Sequence, residues 1–171
     1  FTGNALVVMA WVDRQVSTPA LLRNWTTVWI GNLAGALLIA AAISQTSLIT
    51  GGFGTTAAKI AAGKMALAPL DIFVRAILCN ALVCLAVWLS FAATDVAGKI
   101  LAIILPVAAF VALGLEHSIA NMFLLPLGLM AGAEGSAALA AQNIAIATAG
   151  NILGGAGGVA LAYRFAFKPQ V

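Results

Sequence analysis

Apolar residues in this chain fall in long unbroken runs, not in the alternating or three-to-four spacing that turns one face of a strand or helix towards a core. Trp25 to Ser44 carries no charge and has the length of about 20 residues that a helix needs to cross a bilayer. Trp25 and Trp29 stand at one end as interfacial anchors. Ile72 to Ala93 and Asn143 to Tyr163 repeat the pattern and read as two further spans. Between them the chain punctuates itself. Thr2, Gly3 and Asn4 form a polar turn, with Asn4 placed to cap a short helix over 5–12 that is too short to span. Asp13 to Asn24 reads as a polar connection, and Ala131 to Gln142 as a surface turn. Gln45 to Leu70, rich in glycine, threonine and alanine, reads as an outer loop holding a short re-entrant or interfacial helix near Thr56 to Met65.

The run from Ile100 to Met130 breaks this simplicity. Its strongly polar residues all lie between Glu116 and Asn121. An unbroken helix of that length would rise about 46 Å, whereas a bilayer core is about 30 Å thick. The pattern therefore predicts two half-helices, 100–113 and 121–130, joined by irregular backbone at membrane depth. Such backbone survives only where protein or a water-filled cavity satisfies it. Pro106 is expected to kink the first half, and Pro126 to sit near the start of the second. Glu116 to Asn121 becomes the candidate site.

An internal repeat adds symmetry to these spans. Gly31, Asn32 and Gly35 recur as Gly150, Asn151 and Gly154, an offset of 119, while Asn4 and Asn121, each opening a short apolar helix, are 117 apart. An odd number of helices between the copies makes them run in opposite directions, the inverted repeat of many transporters. The expected fold class is an all-α integral membrane protein, an inverted-repeat helical bundle with two broken helices. Residues 1–171 form a single transmembrane domain. The first copy of the helix matching Ile72 to Ala93 is then expected ahead of Phe1, as the later part of a longer six-span protein would have it.

Composition agrees: 63% hydrophobic, 8% charged and a mean hydropathy of +1.10 leave no room for an ordinary soluble domain. The net charge of +3 comes from scattered basic residues with no basic face, so nucleic acid is not an expected partner. They read instead as topology signals. Arg14, Arg23, Lys99, Arg164 and Lys168 fall on one side and Lys59, Lys64 and Arg75 on the other, which makes the first side cytoplasmic and the chain a multi-pass protein of the cell's inner membrane. Cys79 and Cys84, five apart in one helix, point apart and read as packing residues.

His117 is the one histidine, so neither a bis-histidine haem nor a multi-histidine metal site can be built, and no cofactor is expected. An ionisable group at membrane depth is expensive and usually functional, and histidine titrates nearest neutrality. Glu116 is read as structural, bonding backbone donors freed by the break. Asn121 as a helix cap and Asn121 as a pore donor both remain open. Gly150, Gly154 and Gly158 read as a small-residue packing stripe, and Asn32 and Asn151 as interhelical hydrogen-bonders.

FTGN at Phe1, the Lys64-to-Arg75 spacing, CNALVCLAVW from Cys79 and GLEHSIANMF from Gly114 together resemble the formate/nitrite transporter family along essentially the whole chain. The resemblance implies an aquaporin-like protomer in a homopentamer, not an enzyme, passing formate, nitrite, hydrosulfide or similar small monovalent anions together with protons. The chain departs from that pattern by lacking the first span and the first half of the second. The resemblance further implies that Thr2 faces the pore histidine, His117, that Lys64 stands beside the outer vestibule, that Phe110 lines the constriction, and that Asn80 and Asn121 face the pore, with Glu116 and Ser118 in support. Two rival readings are a membrane anchor subunit of a redox enzyme and a neutral-solute pore of aquaporin type.

Overall fold

The computed structural model describes residues 2–167, which are helical with no strand among them. Phe1, the first residue of the FTGN motif, and Lys168, in the expected cytoplasmic set, lie outside the described residues. Helix α1 (Thr2–Val12) is already helical at Thr2, so Asn4 sits inside its first turn and does not cap it. The Asn4 side chain instead pairs with Asn24 at 3.2 Å, and its carbonyl accepts from Trp25 Nε1. Helix α2 (Thr18–Ser44) begins well before Trp25, because Ser17 accepts from Ala20 N and Pro19 stands in the first turn. Arg23 and Asn24 therefore belong to the helix and not to a loop.

The expected outer loop is mostly ordered helix. A 3₁₀ turn, Ser47–Thr50, leads into α3 (Gly52–Met65), which buries Gly54, Ala57, Ala61 and Met65, largely against α6. Helix α4 (Pro69–Ala92) follows, and Asp95 caps α5 (Val96–Ala112) by accepting from Gly98 N. Helix α6 (Ser118–Met130) starts three residues before Asn121, with His117 as its N-cap. Asn121 is thus not the cap, and Pro126 lies deep within the helix, where it withholds one intrahelical donor. Last come α7 (Ala137–Ile152), a π-helical stretch (Leu153–Leu161) and α8 (Ala162–Ala166), which together form one helix, Ala137–Ala166.

By length and composition α2, α4 and Ala137–Ala166 can each cross a membrane. Their outer faces leave Leu38, Leu70 and Leu153 exposed, as lipid contact requires and water does not favour. The protein is an all-α membrane bundle. The two larger of its four buried clusters gather Ala5, Val8, Leu21, Cys84 and Val159 around α1, and Met65, Met122, Leu125, Ala140 and Ile144 around α6. Cys79 and Cys84 are buried free thiols.

The repeat is visible in the bonding. Asn4 pairs with Asn24 in one half and Asn121 with Asn143 in the other, so Asn24 and Asn143 carry the same offset of 119 as the glycine motif. Trp29 Nε1 donates to Thr148 Oγ1 at 3.1 Å, and those two residues are themselves 119 apart. Residues related by a two-fold that touch each other lie on its axis, so the axis passes between α2 and α7 at this bond.

The glycine stripe departs from expectation in one place. Gly150 and Gly154 press on α4, but the next contact is at Gly155; a Cβ on Gly158 would meet only the Leu153 carbonyl, at 3.9 Å. The wider π turn rotates Gly158 off the face that an α-helix would have kept for it.

Candidate functional site

The break between α5 and α6 is made by three local devices. Gly114, at φ 62, ends α5: Leu115 N donates to Phe110 O at 3.0 Å and Gly114 N to Val111 O at 3.1 Å, the Schellman arrangement that a residue without Cβ adopts most cheaply. The chain then extends through His117, at φ −109 and ψ 115, whose Nδ1 accepts from Ala120 N at 3.4 Å. Finally Asn151 clamps the extended piece. Its Oδ1 accepts from Ser118 N at 2.8 Å, and its Nδ2 donates to Glu116 O at 2.9 Å and to Ala76 O of α4 at 2.8 Å. Backbone groups on both sides of His117 are thereby satisfied without water, as membrane depth demands.

Asn80 and Asn151 stand near the midpoints of α4 and of the last long helix. Asn80 Nδ2 donates to Asn151 O at 2.6 Å, and Thr2 Oγ1 donates to Asn80 Oδ1 at 3.2 Å. The starts of α1 and α6 therefore meet at mid-depth and run towards opposite faces, each presenting its positive dipole end to the centre.

Glu116 is fully buried and does not bond freed backbone donors, contrary to expectation. Asn151 and His117 meet those donors, which leaves the carboxylate to side chains. Lys64 Nζ donates to Oε1 at 2.7 Å, and Asn121 Nδ2 and Asn143 Nδ2 donate to Oε2 at 2.6 Å and 3.2 Å. Asn143 Nδ2 also reaches Lys64 O at 3.1 Å, tying the end of α3 to the start of α7. A charge with so many donors is neutralised where it stands. The Lys64 side chain, 16% exposed, commits one of its three donors to this pair.

A cavity of about 630 Å³ opens onto this cluster, lined by Lys59, Lys64, Arg75, Phe110, Glu116, His117 and Asn121 among apolar residues. Phe110 lies over the His117 ring at 5.8 Å between centroids. Because Nδ1 accepts from the backbone, the neutral ring carries its proton on Nε2 and serves the cavity as a donor. Lys64, Phe110, His117, Asn121 and Glu116 thus share one cavity. Thr2, Asn80 and Ser118 do not line it; Thr2 is engaged with Asn80, and Ser118 Oγ is buried with no partner among the described residues. Asn143, Lys59 and Arg75 escaped sequence reasoning as site residues. Asn143 was findable as the repeat partner of Asn24 and as an amide in an apolar run, but Lys59 looked like any loop lysine. Among the described residues no group of three or more histidine, cysteine or acidic side chains could hold a metal ion.

Comparison with known proteins returns one family. The model of the formate/nitrite transporter family matches residues 1–165. The chain is similar to a probable formate transporter of Methanothermobacter thermautotrophicus, with 40% identity over 99% of the chain and 68% of that protein. To the formate channel FocA of Haemophilus influenzae it is 39% identical over 76% of the chain and 47% of that protein, so it spans about half the channel's length. Among solved structures it resembles an FNT family ion channel with a TM-score of 0.86 and 30% identity, covering 96% of the chain and 68% of that structure. It also resembles a pentameric formate channel with formate bound, with a TM-score of 0.76 and 34% identity over 86% of the chain and 66% of that structure.

Proposed function

Because the chain belongs to the formate/nitrite transporter family, we propose that its polar break is the centre of a pore for small monovalent anions such as formate or nitrite, built as a homopentamer. The observation that carries the reading is the cavity that brings exposed Lys59, Arg75 and Lys64 together with the imidazole capping α6. Arg75 pairs with Asp71 and Lys64 with Glu116, so Lys59 supplies most of the net positive charge in this lining, which raises the local concentration of anions. Deeper in, a bare anion in low dielectric costs several kcal/mol, more than a mostly apolar lining can return.

The His117 Nε2–H hydrogen-bonds the incoming anion; a proton taken up from the aqueous side, by the ring or by the hydrogen-bond network around it, lets a proton pass to the anion and leaves the ring neutral, and the anion crosses the constriction beside Phe110 as its neutral acid. A proton arriving on Nδ1 displaces the Ala120 N–H from that atom, so charge on the ring and the cap of α6 oppose each other. Proton passage is thereby brief by construction, which suits a relay and not a trap.

The test replaces His117 in the full-length polypeptide with Asn, which still caps a helix well but does not titrate. In proteoliposomes, formate uptake by His117→Asn is expected to lose its steep dependence on external pH and to fall about tenfold at mildly acid pH. A variant that keeps the parent's pH profile removes His117 from the relay. Swelling with glycerol or water at the rate seen with formate would point to a neutral-solute pore instead.

A further inference from the structure

At the end of the bundle where α1, α4 and α8 finish, a second cavity of about 310 Å³ is walled by Met9, Trp88, Tyr163, Arg164 and Phe167. It shares no lining residue with the cavity that holds His117. Trp88 lies about a turn inside the end of α4, and its ring stacks on Tyr163 with centroids 4.6 Å apart and planes 8° from parallel; Tyr163 in turn meets Phe167 at 5.7 Å. Aromatic rings near the ends of membrane helices stand at headgroup depth.

Two donors on this wall have no acceptor. Trp88 Nε1 and Arg164 Nη1 are buried and without a partner among the described residues. Neither is free to turn away and find one. The guanidinium is held by Asp13, whose Oδ1 pairs with Nε and Nη2, so Nη1 is the edge left over. The indole is held by Tyr163 on its face and by Phe91 edge-on at 6.0 Å. A buried donor left unsatisfied costs about 1–3 kcal/mol, more where it is charged. Two of them beside one cavity ask for an acceptor that the described residues do not supply.

We infer that this cavity binds a phospholipid of the surrounding bilayer, whose phosphate oxygens accept from Trp88 Nε1 and Arg164 Nη1. The flanking rings favour a lipid over a free anion. Phe91 and Phe167 are exposed large apolar residues, and a bundle of this composition turns such rings to hydrocarbon. Met9 and the stacked rings offer an apolar wall to the glycerol and the first methylenes of an acyl chain, a contact for which a small hydrated anion has no use. Charge agrees. Asp13, Arg14 and Arg164 at this end sum to one negative and two positive, which leaves one positive charge for the single negative charge of a phosphodiester. Because both donors are buried, a wall must give way to admit the phosphate, and Phe167 is the one exposed residue of the five in the lining.

The test uses the full-length polypeptide purified in detergent and three additives: phosphatidylglycerol, diacylglycerol, which has the tails without the phosphate, and inorganic phosphate, which has no tails. Phosphatidylglycerol is expected to raise the thermal midpoint by several degrees and the other two to leave it nearly unchanged. In native mass spectrometry, Trp88→Phe, which keeps a stacking ring and drops the N–H, is expected to retain about fivefold less phosphatidylglycerol than the parent. Arg164→Lys, which keeps a cation for Asp13 and removes Nη1, should show a similar loss, and the midpoint of each variant without lipid reports that it is folded. A shift from inorganic phosphate as large as that from phosphatidylglycerol would make this a site for a free anion, and an equal shift from diacylglycerol would make it an apolar contact alone. Unchanged retention in both variants would put the lipid elsewhere on the bundle. Any of these three results overturns the inference, and none of them bears on the pore at His117.

Discussion

Glu116 is the residue on which the local energetics turn. A buried carboxylate is tolerated only while its donors remain, and Lys64 supplies the single cation among them. Removing one partner of a buried pair typically costs about 3–5 kcal/mol, because the other charge is stranded. Lys64→Met is therefore expected to lower the thermal midpoint of the purified full-length protein sharply, and Glu116→Gln to strand the ammonium less severely, since Lys64 retains some exposure. The double variant, with neither charge left, should recover at least about 1 kcal/mol relative to the sum of the single losses. Additive losses in such a cycle would show that the two side chains stand together without depending on each other.

At the scale of elements, three helix ends use one device with unequal residues, and at the end of α6 it falls on Gly132, at φ 88, with Ala133 N to Gly128 O at 2.8 Å and Gly132 N to Leu129 O at 3.1 Å. Gly114 closes α5 at φ 62, and Arg14 closes α1 at φ 58 with the same bonding, Gln15 N to Ala10 O at 2.8 Å and Arg14 N to Trp11 O at 3.0 Å. A side chain in the left-handed region costs about 1 kcal/mol or more, so Arg14→Gly is expected to stabilise the protein by about 1 kcal/mol in chemical unfolding, whereas Gly114→Ala loses a similar amount. A neutral or destabilising Arg14→Gly would show that the guanidinium returns more than its backbone strain.

Helix packing sets a harsher limit at Gly154. There a Cβ meets the backbone of Ile77, which cannot rotate away, so Gly154→Ala should cost about 1–3 kcal/mol, measured as a loss of folded yield or thermal midpoint. The same change at Gly35, where the space is open, should leave the 171-residue chain unaffected. These contrasts also show what the sequence could tell. Glu116, His117 and Asn121 announced a break because polar residues at membrane depth have few other excuses. The start of α6 at Ser118 did not show, since it depends on an imidazole acting as a cap, and histidine is not a usual cap residue. The loss of Gly158 from the packing stripe was equally hidden, because a π stretch changes the period by which faces are read. Lys64 and Glu116 lie 52 residues apart, and no local pattern joins them.

The whole molecule has two halves that run oppositely about an axis at Trp29 and Thr148, yet they are not chemically equal. Around α6, Asn121 and Asn143 hold each other and the Glu116 carboxylate, which pairs with the Lys64 ammonium; around α1 the matching Asn4 and Asn24 hold only each other. Charge at the centre is thus placed on one side only, beside α3, which has no counterpart among the described residues of the first half. Orientation decides which face of the membrane that side addresses. Asp13 and Arg164 form an ion pair, so the end of α1 and the end of the last helix share a face, and alternation along the chain puts Arg14, Arg23 and Lys99 there too. Lys59, Lys64 and Arg75 stand towards the other face, and from the excess of basic residues we propose that the first one is cytoplasmic. Single cysteines at Arg14 and Lys59 in intact cells test this with a membrane-impermeant thiol reagent, the native Cys79 and Cys84 being buried. Lys59→Cys is expected to label at once and Arg14→Cys only after the cells are opened. The reverse order would turn the cavity, its cations and His117 to the cytoplasm and make the pore's wide mouth an exit side for anions made inside.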